Sequence, residues 1–230
     1  MNSSQHLSSQ FDEELGQLRT HVLQMGGLVE TQVSGAIEAY ASGETSNIKS
    51  LVEADRKVND LEIAIDDNCA HIIARRQPTA SDLRLVLGIS KIVTDLERAG
   101  DEAKKVAKGV RRIYEGGHMP MQYGGGVRHI AEAALVMLRQ ALDAFARIDP
   151  VQAREVIKAD DAVDAEFKAI IRQLITHMME DPRTITTSME IISIARAVER
   201  IGDHAKNVAE QVVFIVEGRD IRHPAKEQKA

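Results

Sequence analysis

Carboxylates set one helical turn apart are the residues in this 230-residue chain that could do the clearest chemistry. Glu97 stands four residues before Asp101, Asp160 before Asp164 and Glu199 before Asp203, while Asp55 holds the same relation to Asn59. On an α-helix such residues share a face, and like charges there repel by roughly 0.2–0.5 kcal/mol. A pair kept against that repulsion calls for a compensating cation. One source is a nearby Arg or Lys, with Arg98 and Arg200 adjacent in sequence; the other is a bound metal. Clusters rich in carboxylates, free of thiols and nearly free of histidine suit hard cations such as Mg²⁺, Mn²⁺ or Ca²⁺, with iron among the softer candidates.

Little else in the chain reads as chemistry. His71, His129, His177 and His204 have no partner histidine at metal spacing and are expected at surfaces or interfaces. The string Glu115-Gly116-Gly117-His118 sits at a glycine-broken helix end, whereas a di-iron site needs Glu-x-x-His on two continuous helices. There is no Gly-x-Ser-x-Gly, Walker loop or Cys/His constellation, so no nucleophilic enzyme is expected. The lone Cys69 excludes an internal disulfide and reads as a small apolar filler. Arg75-Arg76 and the Lys104-Lys105-Lys108-Arg111-Arg112 run read as solvated faces able to dock an acidic partner.

Six helices must position the carboxylates. Leu15, Leu18, Val22, Met25, Val29, Val33 and Ile37 recur every three or four residues and predict a helix from about Ser9 to Ala41. Ser42-Gly43 closes it, and Thr45 or Ser46 is placed to cap a second helix that Pro78 stops just after Arg76. A third runs from Thr79 or Ser81 to Gly116, with Leu83, Val86, Val93, Leu96, Gly100, Ala103, Ala107 and Val110 on one face. The segment 116–126 carries five glycines and a proline and reads as a linker; as a phosphate cradle it lacks a preceding strand. Three more helices follow, from about Val127 to Ile148, Val151 to Met179 and Thr184 to Glu217, broken by Asp149-Pro150 and Asp181-Pro182 and ended by Gly218.

The third and sixth helices contain one sentence twice. Glu97-Arg98-Ala99-Gly100-Asp101-Glu102-Ala103-Lys104-Lys105-Val106-Ala107 and Glu199-Arg200-Ile201-Gly202-Asp203-His204-Ala205-Lys206-Asn207-Val208-Ala209 agree at eight of eleven positions, offset by 102. Asp55 to Asn59 matches Asp160 to Asp164 at a similar offset, and Pro78 and Pro182 break the chain at equivalent places. The expectation is an all-α fold of two tandem three-helix bundles, related by a pseudo-two-fold axis: 1–117, a linker at 118–126, 127–218, and a polar tail at 219–230. At about 100° per residue, Glu97, Asp101, Glu199 and Asp203 fall roughly 90° to 130° from the centre of their apolar stripes, on the bundle's shoulder. A metal site there is expected to be shallow and open. Asp160 lies nearer its apolar face. Gly100 and Gly202, each beside an acidic pair, are expected to mark close approach between helix backbones.

Composition sets the class. Apolar residues make up 43% and aromatics only 3%, which favours a helical core. A formal charge of −6 argues against a nucleic-acid partner. No stretch approaches the length of a membrane span, and the polar N-terminus has no signal pattern, so a cytoplasmic location is expected.

These features together resemble the PhoU family of phosphate-transport accessory and regulatory proteins. The resemblance covers nearly the whole chain. It rests on Met25-Gly26-Gly27-Leu28-Val29-Glu30, Arg75-Arg76-Gln77-Pro78-Thr79-Ala80-Ser81-Asp82-Leu83-Arg84, Leu142-Asp143-Ala144-Phe145-Ala146-Arg147, Met178-Met179-Glu180-Asp181 and the doubled Glu-Arg-x-Gly-Asp strings. It implies a metal-binding role for the Glu/Asp-x-x-x-Asp motifs, here Asp55, Glu97, Asp101, Asp160, Asp164, Glu199 and Asp203. Asn59 departs from the motif, and the first-half site is expected to be the weaker. The resemblance further implies homodimers and negative regulation of the phosphate-starvation response. In that role the protein couples the phosphate ABC transporter, through its ATPase subunit, to the PhoR sensor histidine kinase, and meets the membrane only through these partners. The rival readings are a carboxylate-bridged metalloenzyme and a metal-free helical scaffold.

Overall fold

The computed structural model describes residues 3–116 and 124–221. Six long helices make up the chain: α1 Ser3–Ser42, α2 Ile48–Arg76, α3 Ala80–Glu115, α4 Gly124–Arg147, α5 Pro150–Glu180 and α6 Ile185–Glu217, with a 3₁₀ turn at Pro182–Thr184 before α6. Each half is a bundle of three, α1–α3 and α4–α6, so the fold is two tandem copies of one unit. The halves join where α3 packs on α6 and α1 on α4, leaving α2 and α5 on the outer flanks. A single apolar core runs through both.

Local chemistry explains the breaks. Gly43 and Gly218 close α1 and α6 in the left-handed region, at φ 76° and 68°, where a Cβ is disfavoured. Asp149 caps α5, its side chain accepting from the Val151 and Gln152 amides, and Pro150 supplies a preset φ in the first turn. Neither Thr45 nor Ser46 caps α2: Asn47 precedes that helix, without a side-chain cap bond, and the Ser46 hydroxyl donates to Glu44 instead. Gly124, Gly125 and Gly126, expected in the linker, open α4. At helix ends such residues are tolerated, and Gly126 leaves room for Ile170, whose Cγ1 would lie 3.0 Å from an added Cβ. The rest of the expected linker and the tail beyond residue 221 lie outside the described residues.

α3 and α6 carry more buried surface than a one-faced amphipathic helix. On α3 the expected face is joined by Ile89, Ile92, Ala99, Val106 and Ile113, because α1 and α2 cover one side and α6 another. Gly88 faces Ile215, Asp95 faces His204, Glu102 faces Arg200 and Gly109 faces Ile194. Residue numbers climb on one helix as they fall on the other, so the pair is antiparallel. They balance at the level of Gly100 and Gly202, two copies of one residue, which places the internal two-fold axis there.

Candidate functional site

The repeated strings lie at mid-seam, and each faces the outer helix of its own half. Asp55 on α2 and Asp160 on α5 are buried, at 6% and 4% exposure, and sit in the crevice toward α3 and α6. Glu97, Asp101, Asp164, Glu199 and Asp203 are half-buried at the crevice mouths, as expected of shoulder positions. The lean of Asp160 toward its apolar face has a specific cause: the Lys206 ammonium donates to its Oδ2 at 2.6 Å.

The same contact occurs in the first half. Lys104, which matches Lys206 in the repeat, donates to Asp55 Oδ2 and Asp101 Oδ1, each at 2.6 Å. The cations in direct contact are therefore lysines, while Arg98 and Arg200 act on Glu97 and Glu199 through charge alone, and Lys104 is no solvated charge. Arg200 reaches across the seam toward Glu102 at 3.4 Å. Arg76, likewise expected to be solvated, forms a bidentate pair with Glu14 of α1 at 2.6 and 2.9 Å.

Even with the lysines in place the carboxylates repel. Burial, Asp101 and Asp55 push Glu97 above the usual carboxylate range. Burial and Asp203 do the same to Glu199. Burial, Asp160 and Asp164 raise Asp203. Glu62 is raised by burial, Glu97 and Asp66, and so belongs to the first-half cluster. Seven residues after Asp55 on α2, it supplies a carboxylate that offsets Asn59. Hydrogen bonding to Asp160 lifts Lys206 above its ordinary range. For Lys104, burial pulls the other way, but the bonds to Asp101 and Asp55 prevail.

Beside Gly100 the first half has a further polar group. Gln32 of α1 is 4% exposed, both its amide atoms lack partners, and its Oε1 would lie 3.0 Å from a Cβ on Gly100. Asp55 Oδ1 and Asn59 Oδ1 are also buried without partners. Beside Gly202 the neighbour is Met137, so the second crevice lacks this amide. Gln32 carries no chemical signature in sequence beyond being a polar residue between Val29 and Val33. The lysines did: they are among the eight repeated positions.

Between the two strings the seam opens into a cleft of about 560 Å³ that takes Asp101 and Asp203, Arg98 and Arg200 from the two repeats. Asp95 at its edge pairs with His204 Nδ1 and accepts from Asn207, both at 2.9 Å; His204 is thus an interface residue. Among the described residues, no three His, Cys, Asp or Glu side chains converge tightly enough to hold a metal ion. The donor set nonetheless fits a hard cation. It offers carboxylates whose repulsion an ion would relieve, plus buried amide and carboxylate oxygens with no partner, arranged around an ammonium.

The model of the PhoU domain matches residues 22–110 and again 127–212, once in each half. The chain belongs to the PhoU family. Two named relatives span nearly all of it. The phosphate-specific transport system accessory protein PhoU homolog of Pseudomonas aeruginosa is 49% identical over 218 residues, covering 95% of this chain and 90% of that protein. The phosphate-specific transport system accessory protein PhoU of Escherichia coli is 43% identical over 223 residues, covering 97% and 92%. Crystal structures of PhoU-family proteins superpose closely. That from Pseudomonas aeruginosa gives a TM-score of 0.88 at 47% identity, over 91% of this chain and 100% of that one. The regulatory protein from Streptococcus pneumoniae gives 0.84 at 28%, over 93% and 100%. Their doubled three-helix architecture is the one described above.

Proposed function

We propose that this chain is an accessory and regulatory protein of phosphate transport. It couples a phosphate ABC transporter, through its ATPase subunit, to the PhoR sensor histidine kinase, and holds the phosphate-starvation response off when phosphate is plentiful. The observation that carries this reading is the full-length match, both repeats included, to proteins named phosphate-specific transport system accessory proteins. The role is non-enzymatic: long helix faces dock on partner helices, in the cytoplasm and as a homodimer. Among the described residues no helix is long and apolar enough to cross a membrane, so membrane contact comes through the partners.

Metal belongs to the same reading. Asp55, Glu62, Glu97 and Asp101 in one half, and Asp160, Asp164, Glu199 and Asp203 in the other, would hold Mg²⁺, Mn²⁺, Ca²⁺ or iron, which would neutralise the crevices and set the angle between outer and inner helices. A second reading, the metal-free scaffold, draws support from the lysine in each crevice. One experiment separates them. Deleting the gene is expected to switch on a phosphate-starvation reporter in phosphate-rich medium, and the wild-type gene to restore silence. A folded Glu97→Gln/Glu199→Gln protein fails to restore it if metal matters, and restores it fully if the scaffold reading holds. A reporter that stays silent in the deletion strain refutes the regulatory role itself.

A further inference from the structure

The two lysines of the crevices differ from ordinary surface cations. Each occupies the same place in its repeat, and each donates at 2.6 Å to a carboxylate that is at least nine-tenths buried. Around Lys104 the crevice holds unused ligand capacity: Asp55 Oδ1, Asn59 Oδ1 and both amide atoms of Gln32 are buried without partners. Oxygen atoms in that state, on α1 and α2 beside one acidic cluster, point to a ligand besides the ammonium. An incoming metal ion would share the Asp55 or Asp160 carboxylate with Lys Nζ, and two cations on one carboxylate repel strongly at low dielectric.

From this, resting on the metal reading above, we infer that Lys104 and Lys206 are tethered competitors for the metal: each fills its crevice as a built-in counter-cation and must swing out for an ion to bind. Both stems can do so. Their side chains are 23% and 32% exposed, at the crevice mouth, and a lysine head reaches solvent on a flexible stem. The arrangement gives the protein two states per half, ammonium in or metal in. It sets metal affinity below what the carboxylates alone would give, which suits a site that must load and unload.

The test is Mn²⁺ binding to the full chain, read as loss of the free-ion electron paramagnetic resonance signal. Lys206→Met and Lys104→Met keep the aliphatic stem and remove the charge. Each is expected to bind Mn²⁺ about tenfold more tightly than wild type, a coupling of ordinary size between two ligands of one protein. Lys158→Met, which removes an exposed lysine paired only with Glu155, leaves affinity where it was. Should a crevice variant fail to fold, ¹⁵N spectra of the lysine ammonium groups in wild-type protein decide instead. Two slowly exchanging ammonium signals are expected without metal, and their loss on adding diamagnetic Mg²⁺, which unlike Mn²⁺ does not broaden nearby signals. Wild-type binding with no gain in the Met variants, or with ammonium signals that ignore Mg²⁺, overturns the competition and leaves the metal reading standing. No Mn²⁺ binding by wild type or either variant overturns both.

Discussion

Gly202→Ala should stabilise the protein, although Gly202 sits at the centre of the repeat, in mid-helix and fully packed. A Cβ built there meets Val163 Cγ1 at 3.5 Å, Met137 Sδ at 3.8 Å and Asp160 Oδ1 at 3.9 Å, all ordinary contact distances. The methyl group fits without displacing anything. Glycine in a helix interior costs about 0.8–1.0 kcal/mol relative to alanine, so the substitution should gain about 1 kcal/mol, a rise in Tm of about 2–4 °C for a chain of this size. Gly109→Ala makes the contrast. Its Cβ would stand 2.8 Å from Ile194 Cγ1 and 3.2 Å from Cδ1, and Ile194 is buried in the seam. Cγ1 is one bond from a β-branched centre and cannot swing away. Overpacking of this kind costs about 1–3 kcal/mol, which outweighs the helix-propensity gain and should lower Tm. Thermal unfolding followed by circular dichroism measures both. A less stable Gly202→Ala, or a Gly109→Ala more stable than wild type, would refute the assignment of close approach to the seam glycines and of free space to the repeated one.

Arg76→Ala removes a partly exposed bidentate pair that ties the end of α2 to α1; a lower midpoint in urea unfolding is expected, and an unchanged midpoint would mean the pair is idle. The pH dependence has a definite sign. Glu97, Glu199 and Asp203 are raised in the folded protein, so the stability tied to them is fully present below the ordinary carboxylate range and is lost as pH rises through their raised values. Mild acidification at low salt, without metal, should therefore raise Tm, and Glu199→Gln should flatten the slope; a rising Tm toward neutral pH that survives this substitution sinks the idea. Mn²⁺ should act in the opposite sense, raising Tm at neutral pH by the equivalent of about 2.7 kcal/mol at a hundred times its Kd, and progressively less on acidification because protons compete for the same oxygens. A Tm unchanged by Mn²⁺ at neutral pH speaks for the metal-free scaffold.

The fold was legible because its signals are local. Gly43, Pro78, Asp149-Pro150, Asp181-Pro182 and Gly218 interrupt apolar periods where the structure turns, and the 102-residue offset between the two strings is by itself the mark of the doubling. Burial on two sides was not legible. A periodic pattern reports a helix's dominant face, and the inward position of Ile89 or Ile92 depends on where α6 lies. The directly bonded charge partners were hidden for the same reason. Arg98 and Arg200 are next to the acidic residues in sequence, yet Lys104 and Lys206 reach across to the neighbouring helix, a contact only the packing of α2 on α3 and α5 on α6 can create. Thr45 and Ser46 had the chemistry of caps without the position, since α2 begins later, at Ile48.

Duplication raises a problem for any adaptor, because two identical halves present identical faces, and a protein that joins unlike partners needs unlike ones. Within the repeated strings this chain differs at residues that meet across the seam. Glu102 occupies the position that His204 takes in the other repeat, Lys105 that of Asn207, and Asp95 that of Ala197. One half thus supplies the acceptors and the other the donors of the Asp95–His204, Asp95–Asn207 and Glu102–Arg200 contacts. Beside the axis, Gln32 faces Gly100 where Met137 faces Gly202. On this register a perfectly repeated seam would pair Glu102 with Arg200 and a second glutamate with Arg98, two equivalent contacts about the axis, so the differences at 102/204, 105/207 and 95/197 are what make its two sides unlike. The seam itself thus makes the halves inequivalent, which is what the proposed coupling of two different partners would require.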